Sequence, residues 1–125
     1  MSKNPKYWLV GANWSGDDHA NAFYRRGYWK LGWKDSDQPR MAQARDSIQP
    51  GNRIAIKAMR GKGAKTITIK GLGIVKEVAD KRVYVDWLIK DMNRKVAAKG
   101  CFQSIHGPYE LTGRDAAWIR EVFCL

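Results

Sequence analysis

The chain has 125 residues, of which 44% are hydrophobic, and it carries 23 Lys and Arg against 12 Asp and Glu, a formal net charge of +11. This length and hydrophobic content predict one folded domain over residues 1–125 with its own core, and they exclude wholesale disorder. A charge this positive in a chain of this size favours a polyanionic partner, so a nucleic acid is the first expectation.

The positive charge is concentrated in the middle of the chain. Fifteen Lys and Arg and five Asp and Glu lie between Arg40 and Lys99, so this segment carries +10 of the net +11. The flanking segments are therefore close to neutral. A neutral pocket beside a cationic surface suits nucleic-acid recognition, because phosphate contacts supply affinity and base contacts supply discrimination.

The cysteines and histidines indicate neither disulfides nor a metal site. Cys101 and Cys124 lie far apart and outside a CxxC spacing, and no signal-peptide pattern precedes them. We therefore expect a cytoplasmic protein with reduced thiols. His19 and His106 add no metal-site spacing, so we expect no metal and no other cofactor. No stretch approaches the length of a transmembrane helix, so we expect no membrane partner.

Hydrophobic periodicity and turn residues predict an α+β fold, a small curled, mostly antiparallel barrel of five to six strands flanked by two to three helices. We expect glycines in the longest strand to bend it. The expected strands are residues 6–11, 52–59, 66–78, 82–88 and 101–105. The expected helices are residues 17–26, a second from Pro39 to about Ser47, and a third opened by a capping box at Thr112 and Asp115, while residues 91–100 are expected to form a loop.

The segment from Asn13 to Trp33 contains three of the six tryptophans, Trp14, Trp29 and Trp33. Gly27 and Gly32 interrupt it, so we expect a loop rather than a helix around the second and third indoles. Tryptophans in a glycine-rich loop either offer a flat face to a ligand or fold over the edge of a core. The neighbouring carboxylates and the basic remainder of the chain favour a base-binding pocket.

The order of these motifs resembles the PUA-like superfamily, in particular its EVE and YTH branches. The segments that carry the resemblance span nearly the whole chain; they are YWLVGAN, QPGNRIAIK, IKGLGIVKEV, VYVDW and GYWKLGW. The chain is similar to the modified-base-reading domains of McrBC-type modification-dependent restriction systems. Such a resemblance implies a PUA-like fold and a DNA-binding module that flips a modified, methylated base into an aromatic pocket without catalysis.

This chain departs from those domains in two ways. This sequence contains no AAA+ motor, so we expect a detached or stand-alone reader, with an AAA+ motor or a nuclease subunit as an expected partner. The aromatic cage of the family also cannot be mapped onto this sequence position by position. The assignment of individual pocket residues therefore depends on the residues themselves.

The predicted site has two parts. The base-binding pocket is assigned to the indoles and the polar or flexible side chains near them: Asn13, Trp14, Asp17, Asp18, Trp29, Trp33 and Met59. The phosphate contacts are assigned to the basic strand end and hairpin tip: Lys57, Arg60, Lys62 and Lys65. Each assignment has a structural alternative: core or rim packing for the tryptophans, a turn for the asparagine, helix capping for the aspartates and a solvated loop for the cations.

Three other functions stay open at the level of sequence. An RNA-binding PUA or YTH-type domain has the same composition as a DNA reader. A small ASCH-like hydrolase needs a Lys–Glu or Cys–His pair in its pocket, and the three glutamates, Glu77, Glu110 and Glu121, have no motif context. The tryptophans can instead belong to an interaction domain that buries a protein partner.

Overall fold

The computed structural model describes residues 4–14, 16–59 and 63–125, and this part of the chain forms nine strands and three helices. The strands are β1 Tyr7–Gly11, β2 Asn13–Trp14, β3 Asp17–Asp18, β4 Tyr28–Lys30, β5 Arg53–Met59, β6 Thr66–Ala79, β7 Arg82–Ile89, β8 Arg94–Ala97 and β9 Ile105–Tyr109. The helices are α1 Ala20–Arg26, α2 Pro39–Ser47 and α3 Ala116–Val122. No helix in these ranges has the length and apolar character of a membrane span.

Seven strands form one curled sheet in the order β4-β7-β6-β5-β1-β9, with β8 paired to the first part of β6. The pairing of β1 with β5 is parallel, and the other pairings in this sheet are antiparallel. Strands β2 and β3 form a separate two-stranded ribbon. The predicted fold class, α+β with a curled and mostly antiparallel sheet, is confirmed, although the sheet is an open half-barrel.

The curl is concentrated in β6, as its glycines predict. The register of β6 shifts against β5 beside Gly71 and against β7 beside Gly73. A Cβ atom at residue 71 would lie 2.3 Å from the Tyr24 hydroxyl oxygen, and one at residue 73 would lie 2.3 Å from Val85 Cγ1. Glycine is therefore needed at both positions, because α1 and β7 approach the bent strand too closely for a side chain.

Both faces of the sheet are covered, which explains why β1 reads as a continuous apolar run. One face of β1 presents Trp8 and Val10 to a cluster that includes residues of α1, β4, β5 and β7. The opposite face presents Tyr7 and Leu9 to a cluster that includes residues of β6, β8 and α3. The Trp8 indole N–H donates to the side-chain oxygen of buried Asn52 at 3.0 Å, which ties the turn before β5 to the first cluster.

Two strand predictions are wrong. Residues 91–100, expected to form a loop, contain β8, which has only Val96 buried and exposes Arg94 and Lys95. A short charged strand with a single buried residue shows no alternation of apolar and polar residues, so the sequence does not reveal it. The last strand is Ile105–Tyr109 rather than residues 101–105, because the turn before it extends through residue 104.

The first and third helices begin later than predicted. Residues 17 and 18 belong to β3, and α1 begins at Ala20. It ends as predicted at Gly27, which adopts a left-handed conformation with φ of 74°. The capping box does not form, since α3 begins after Asp115 without a side-chain cap. Pro39 occupies the first turn of α2 as predicted.

Arg45 joins α2 to the segment that follows β4. Its side chain is 2% exposed, and its two terminal nitrogens each donate to one carboxylate oxygen of Asp35 at 2.8 Å. The Nε group donates to Asp46 at 2.9 Å. These bonds raise the pKa of the guanidinium above its ordinary value, and the fork geometry fixes the segment just after Trp33.

We expect Arg45→Lys to lower the free energy of unfolding by about 1–3 kcal/mol, because an ammonium cannot make the paired bonds to Asp35. Arg40→Lys is the matched control on the same helix, since Arg40 is exposed. Urea denaturation of the three proteins measures the effect. Equal stability of the two variants would show that the Arg45 fork contributes nothing.

Candidate functional site

The parallel pair β1–β5 places two strand ends at the same edge of the sheet. Gly11 lies opposite Lys57 in this pair, and the chain leaves the edge at Asn13 and Met59. A hydrogen bond of 2.8 Å from the Gly11 N–H to the Ser104 carbonyl adds a third segment. The resulting groove has a volume of about 460 Å³ and is lined by Asn13, Trp14, Gly32, Trp33, Met41, Met59, Phe102, Gln103 and Ser104. This size is typical of small-ligand sites.

Trp33 is the indole in the groove that can receive a ligand. Its side chain is 49% exposed, and its Nε1–H donates to the Ser104 hydroxyl at 3.1 Å. This bond holds the ring in place without covering it. Met41, Met59 and Phe102 supply apolar surface in the same groove. An exposed ring in a groove that flexible thioethers also line suits a flat, partly apolar ligand.

Trp14 also lines the groove, but its ring is already packed. The His19 ring stacks on it with a centroid separation of 3.9 Å and an interplanar angle of 15°. A Cβ atom at Gly32 would lie 2.5 Å from the indole atoms Cδ2 and Cε3, so the backbone of residue 32 also touches the ring. Trp14 therefore forms a fixed wall of the groove.

The prediction that Trp29 forms a wall of the pocket is wrong. Trp29 lies in β4 rather than in a loop, because Gly27 turns the chain and β4 then pairs with β7. Its side chain is 0% exposed, and its Nε1–H donates to the Gly11 carbonyl at 2.8 Å. Trp29 thus supports the end of β1 from the core and cannot contact a ligand in this conformation.

The polar pocket candidates separate into two groups. Asn13 lines the groove, whereas Asp17 and Asp18 are exposed in β3 and are not among the lining residues. Asp18 accepts a bond of 2.9 Å from the Ala20 N–H and one from the Lys70 ammonium. Partial burial acts to raise the pKa of Asp18, but these bonds lower it overall. The structural alternative, a role at the start of α1, describes Asp18 better.

The predicted phosphate contacts are also divided. Lys65 is exposed on the hairpin, while Arg60 and Lys62 lie outside the described residues. The prediction of Lys57 as a surface contact is wrong, since its side chain is 4% exposed. Lys57 shares a strand face with Ala55, and the second core cluster covers that face.

Sequence reasoning missed a basic depression on the other side of Trp33. It has a volume of about 260 Å³ and is lined by Lys30, Leu31, Trp33, Asp35, Arg45, Asp80, Lys81 and Arg82. Four cations and two carboxylates leave this lining positive, and Arg45 already engages Asp35. No sequence motif marks this depression, because its cations come from β4, α2, the β6–β7 turn and the start of β7.

A small recess of about 130 Å³ continues the groove beneath residues 102–104. Its lining combines the groove residues Asn13, Met59, Phe102, Gln103 and Ser104 with Gly11, Ala12, Lys57 and Ala58. Burial lowers the pKa of Lys57 to about 8. Burial, and then the Lys57 charge, lowers the pKa of His106 to about 4, and His106 Nε2 accepts the Gln103 N–H at 3.0 Å.

Cys101 lies near this recess but is not arranged as a nucleophile. It is 0% exposed, its Sγ lies 3.6 Å from the Tyr109 hydroxyl, and burial raises the pKa of its thiol. A buried thiol with a raised pKa is protonated at neutral pH and unreactive. The geometry therefore does not favour the Cys–His pair that a hydrolase would need. The ranges that the structure describes hold no cluster of three His, Cys, Asp or Glu side chains placed for a metal ion.

Comparison with known proteins adds a distant structural likeness. No protein-family model matches the chain, and no curated protein matches it. A similar solved structure is the YTH domain of a Zygosaccharomyces rouxii protein in complex with N6-methyladenosine RNA, with 13% identity and a TM-score of 0.43. The match covers 79% of this chain and 65% of that one, so the chain spans about two thirds of its length. A likeness of this degree assigns no ligand and no residue role.

We expect Gly32→Ala to lower the free energy of unfolding by about 1–3 kcal/mol, because its Cβ would overlap the Trp14 ring. Gly11→Ala is the control, since its Cβ would lie an ordinary 3.7 Å from the nearest atom, Ser104 Cα. Thermal unfolding compares the two. If both variants match the wild type, Trp14 is free to move and is not a fixed wall.

The lowered pKa of His106 gives a second expectation. The His106 imidazole takes up a proton near pH 4 in the folded protein and near pH 6.5 in the unfolded chain. The free energy of unfolding therefore decreases as the pH falls from 6.5 towards 4. In His106→Gln, the decrease in the free energy of unfolding between pH 7 and pH 4.5 should be smaller than in the wild type by about 1–2 kcal/mol. Urea denaturation at pH 7 and pH 4.5 measures it, with Gln103→Ala as a control that removes no titrating group. An unchanged loss in His106→Gln would contradict the assignment.

Proposed function

We propose that the protein binds a nucleic acid and holds one modified, methylated base in the groove, without catalysing a reaction. The observation that carries the proposal is the half-exposed indole of Trp33 in the groove that Met41, Met59 and Phe102 also line. An indole face and thioether side chains complement the flat face of a base and its methyl group. The basic depression beside Trp33 supplies cations for the adjoining phosphates.

The expected energies are sufficient for discrimination. Stacking of a base on an indole contributes about 1–3 kcal/mol, but only once the base has left the duplex, which a plain base does less readily than a weakly pairing modified base. Burial of one methyl group adds about 0.8 kcal/mol. A modified base that pairs weakly also costs less to extrude from a duplex. Together the two modification-dependent effects favour the methylated base by about tenfold.

Phosphate binding is assigned to cations on two sides of the groove. Lys30, Lys81 and Arg82 line the depression beyond Trp33. Lys65 is exposed just before β6, whereas Arg60 and Lys62, which the sequence assigns to the same role, lie outside the described residues. A strand whose base enters the groove would have its backbone between these two sets of cations.

DNA is our proposed natural partner because the sequence resembles the base-reading domains of McrBC-type systems. The same resemblance makes an AAA+ motor or a nuclease subunit a proposed second partner. The groove geometry suits a base from RNA equally well. Matched RNA is therefore one arm of the binding experiment.

The test of the proposed function measures affinity for identical duplexes that contain unmodified bases, N6-methyladenine, 5-methylcytosine or 5-hydroxymethylcytosine, with matched RNA alongside. Trp33→Ala should weaken binding of the preferred modified duplex by at least tenfold and of the plain duplex by less. Leu88→Ala, which removes an exposed apolar side chain on β7 outside the groove, is the control. Equal losses for modified and plain duplexes would remove Trp33 from base recognition.

We expect Lys65→Ala to weaken binding to modified and plain duplexes alike and to reduce the slope of log K against log salt by about 1. The reason is that a phosphate contact carries no sequence information. Titrations at several salt concentrations measure the slope. A loss confined to the modified duplex would place Lys65 at the base instead.

A further inference from the structure

Lys57 is a largely buried lysine in the recess that adjoins the groove. It lies on β5 opposite Gly11, and its side chain is 4% exposed and lines the recess beneath residues 102–104. A Cβ atom at Gly11 would lie 3.9 Å from Lys57 Nζ, so the absence of a side chain at residue 11 leaves space beside the amine. The recess is continuous with the groove through their shared lining residues.

The protein itself does not neutralise this amine. Among the described residues, no carboxylate forms an ion pair with Lys57, and its Nζ group has no hydrogen-bond acceptor. The titratable groups that face it are Cys101, on the segment before β9, and His106 on β9. Both are neutral at pH 7, because burial raises the pKa of the thiol and lowers that of the imidazole.

An amine that lines a recess and has no acceptor from the protein is available to a ligand that brings one. We propose that Lys57 Nζ donates a hydrogen bond to a ring carbonyl oxygen of the base held in the groove, and that the site therefore prefers bases with such an oxygen over adenine. This inference rests on the proposed function. Cytosine, thymine, uracil and guanine carry the oxygen, whereas adenine has none and presents an exocyclic amine instead.

The recess fits one oxygen atom better than a phosphate. A phosphate needs several donors around its oxygens, and Lys57 is the one charged side chain among the lining residues of the recess. The groove above it is formed by Trp33, Met59 and Phe102, which suit the ring of a base. A base on these side chains would direct one edge towards the amine.

The test uses four duplexes that differ at one central position: cytosine, 5-methylcytosine, adenine and N6-methyladenine. Comparison within each pair measures the response to methylation, and comparison between pairs measures the response to the carbonyl oxygen. The wild type should prefer the cytosine pair by about tenfold, and Lys57→Met should abolish that preference while it retains the response to methylation. Leu88→Ala, outside the groove, should retain both responses.

The outcomes separate the inference from the proposed function. Preference for the adenine pair, or an unchanged cytosine preference in Lys57→Met, overturns the role of Lys57 and leaves the base-reading function intact. Equal binding of all four duplexes, unaffected by Trp33→Ala, overturns the function itself.

A measurement on the wild type covers the case in which Lys57→Met does not fold. Because the pKa of Lys57 is about 8 in the free protein, affinity for the 5-methylcytosine duplex should fall about fivefold or more from pH 7 to pH 9. Affinity for the N6-methyladenine duplex should fall less, and the ratio of the two affinities cancels pH effects common to both. A constant ratio overturns the inference.

Discussion

The parallel pairing of β1 with β5 determines where the groove lies. Antiparallel neighbours would send the two strand ends to opposite edges, whereas this pair brings Gly11 and Met59 to one edge. The long connection between β1 and β5 contains α1, β4 and α2, and it returns Trp33 to that same edge. The buried Trp29, bonded to the Gly11 carbonyl, and the Arg45 fork on Asp35 hold the connection in place.

Much of this architecture was predictable because the main strands have strong patterns. β5 alternates with Ile54 and Ile56 on one face, and the glycines of β6 indicate its bend. Part of the groove was also predictable, since Asn13, Trp14 and Trp33 follow strand ends and lie near glycines. Strand ends marked by glycines beside aromatic residues can be recognised from the sequence alone.

The positions of the other site residues are determined by tertiary contacts, which the local sequence pattern does not predict. Lys57 was expected to contact phosphates, but a second core covers its face of β5, and a lysine in an alternating strand does not reveal this. Trp29 was expected in a loop, and pairing between β4 and β7 placed it in the core instead. Phe102 and Ser104 join the groove through a backbone bond between Gly11 and Ser104, residues distant in sequence.

The borders of the sheet limit how another polypeptide can associate with this protein. β4 has three residues, β8 has four and exposes Arg94 and Lys95, and β9 contains Pro108, which has no N–H to donate. Short, charged or proline-containing borders resist extension by a further strand. These borders therefore favour docking of a second chain through side chains, and they disfavour addition of further copies of the protein to the edges of the sheet.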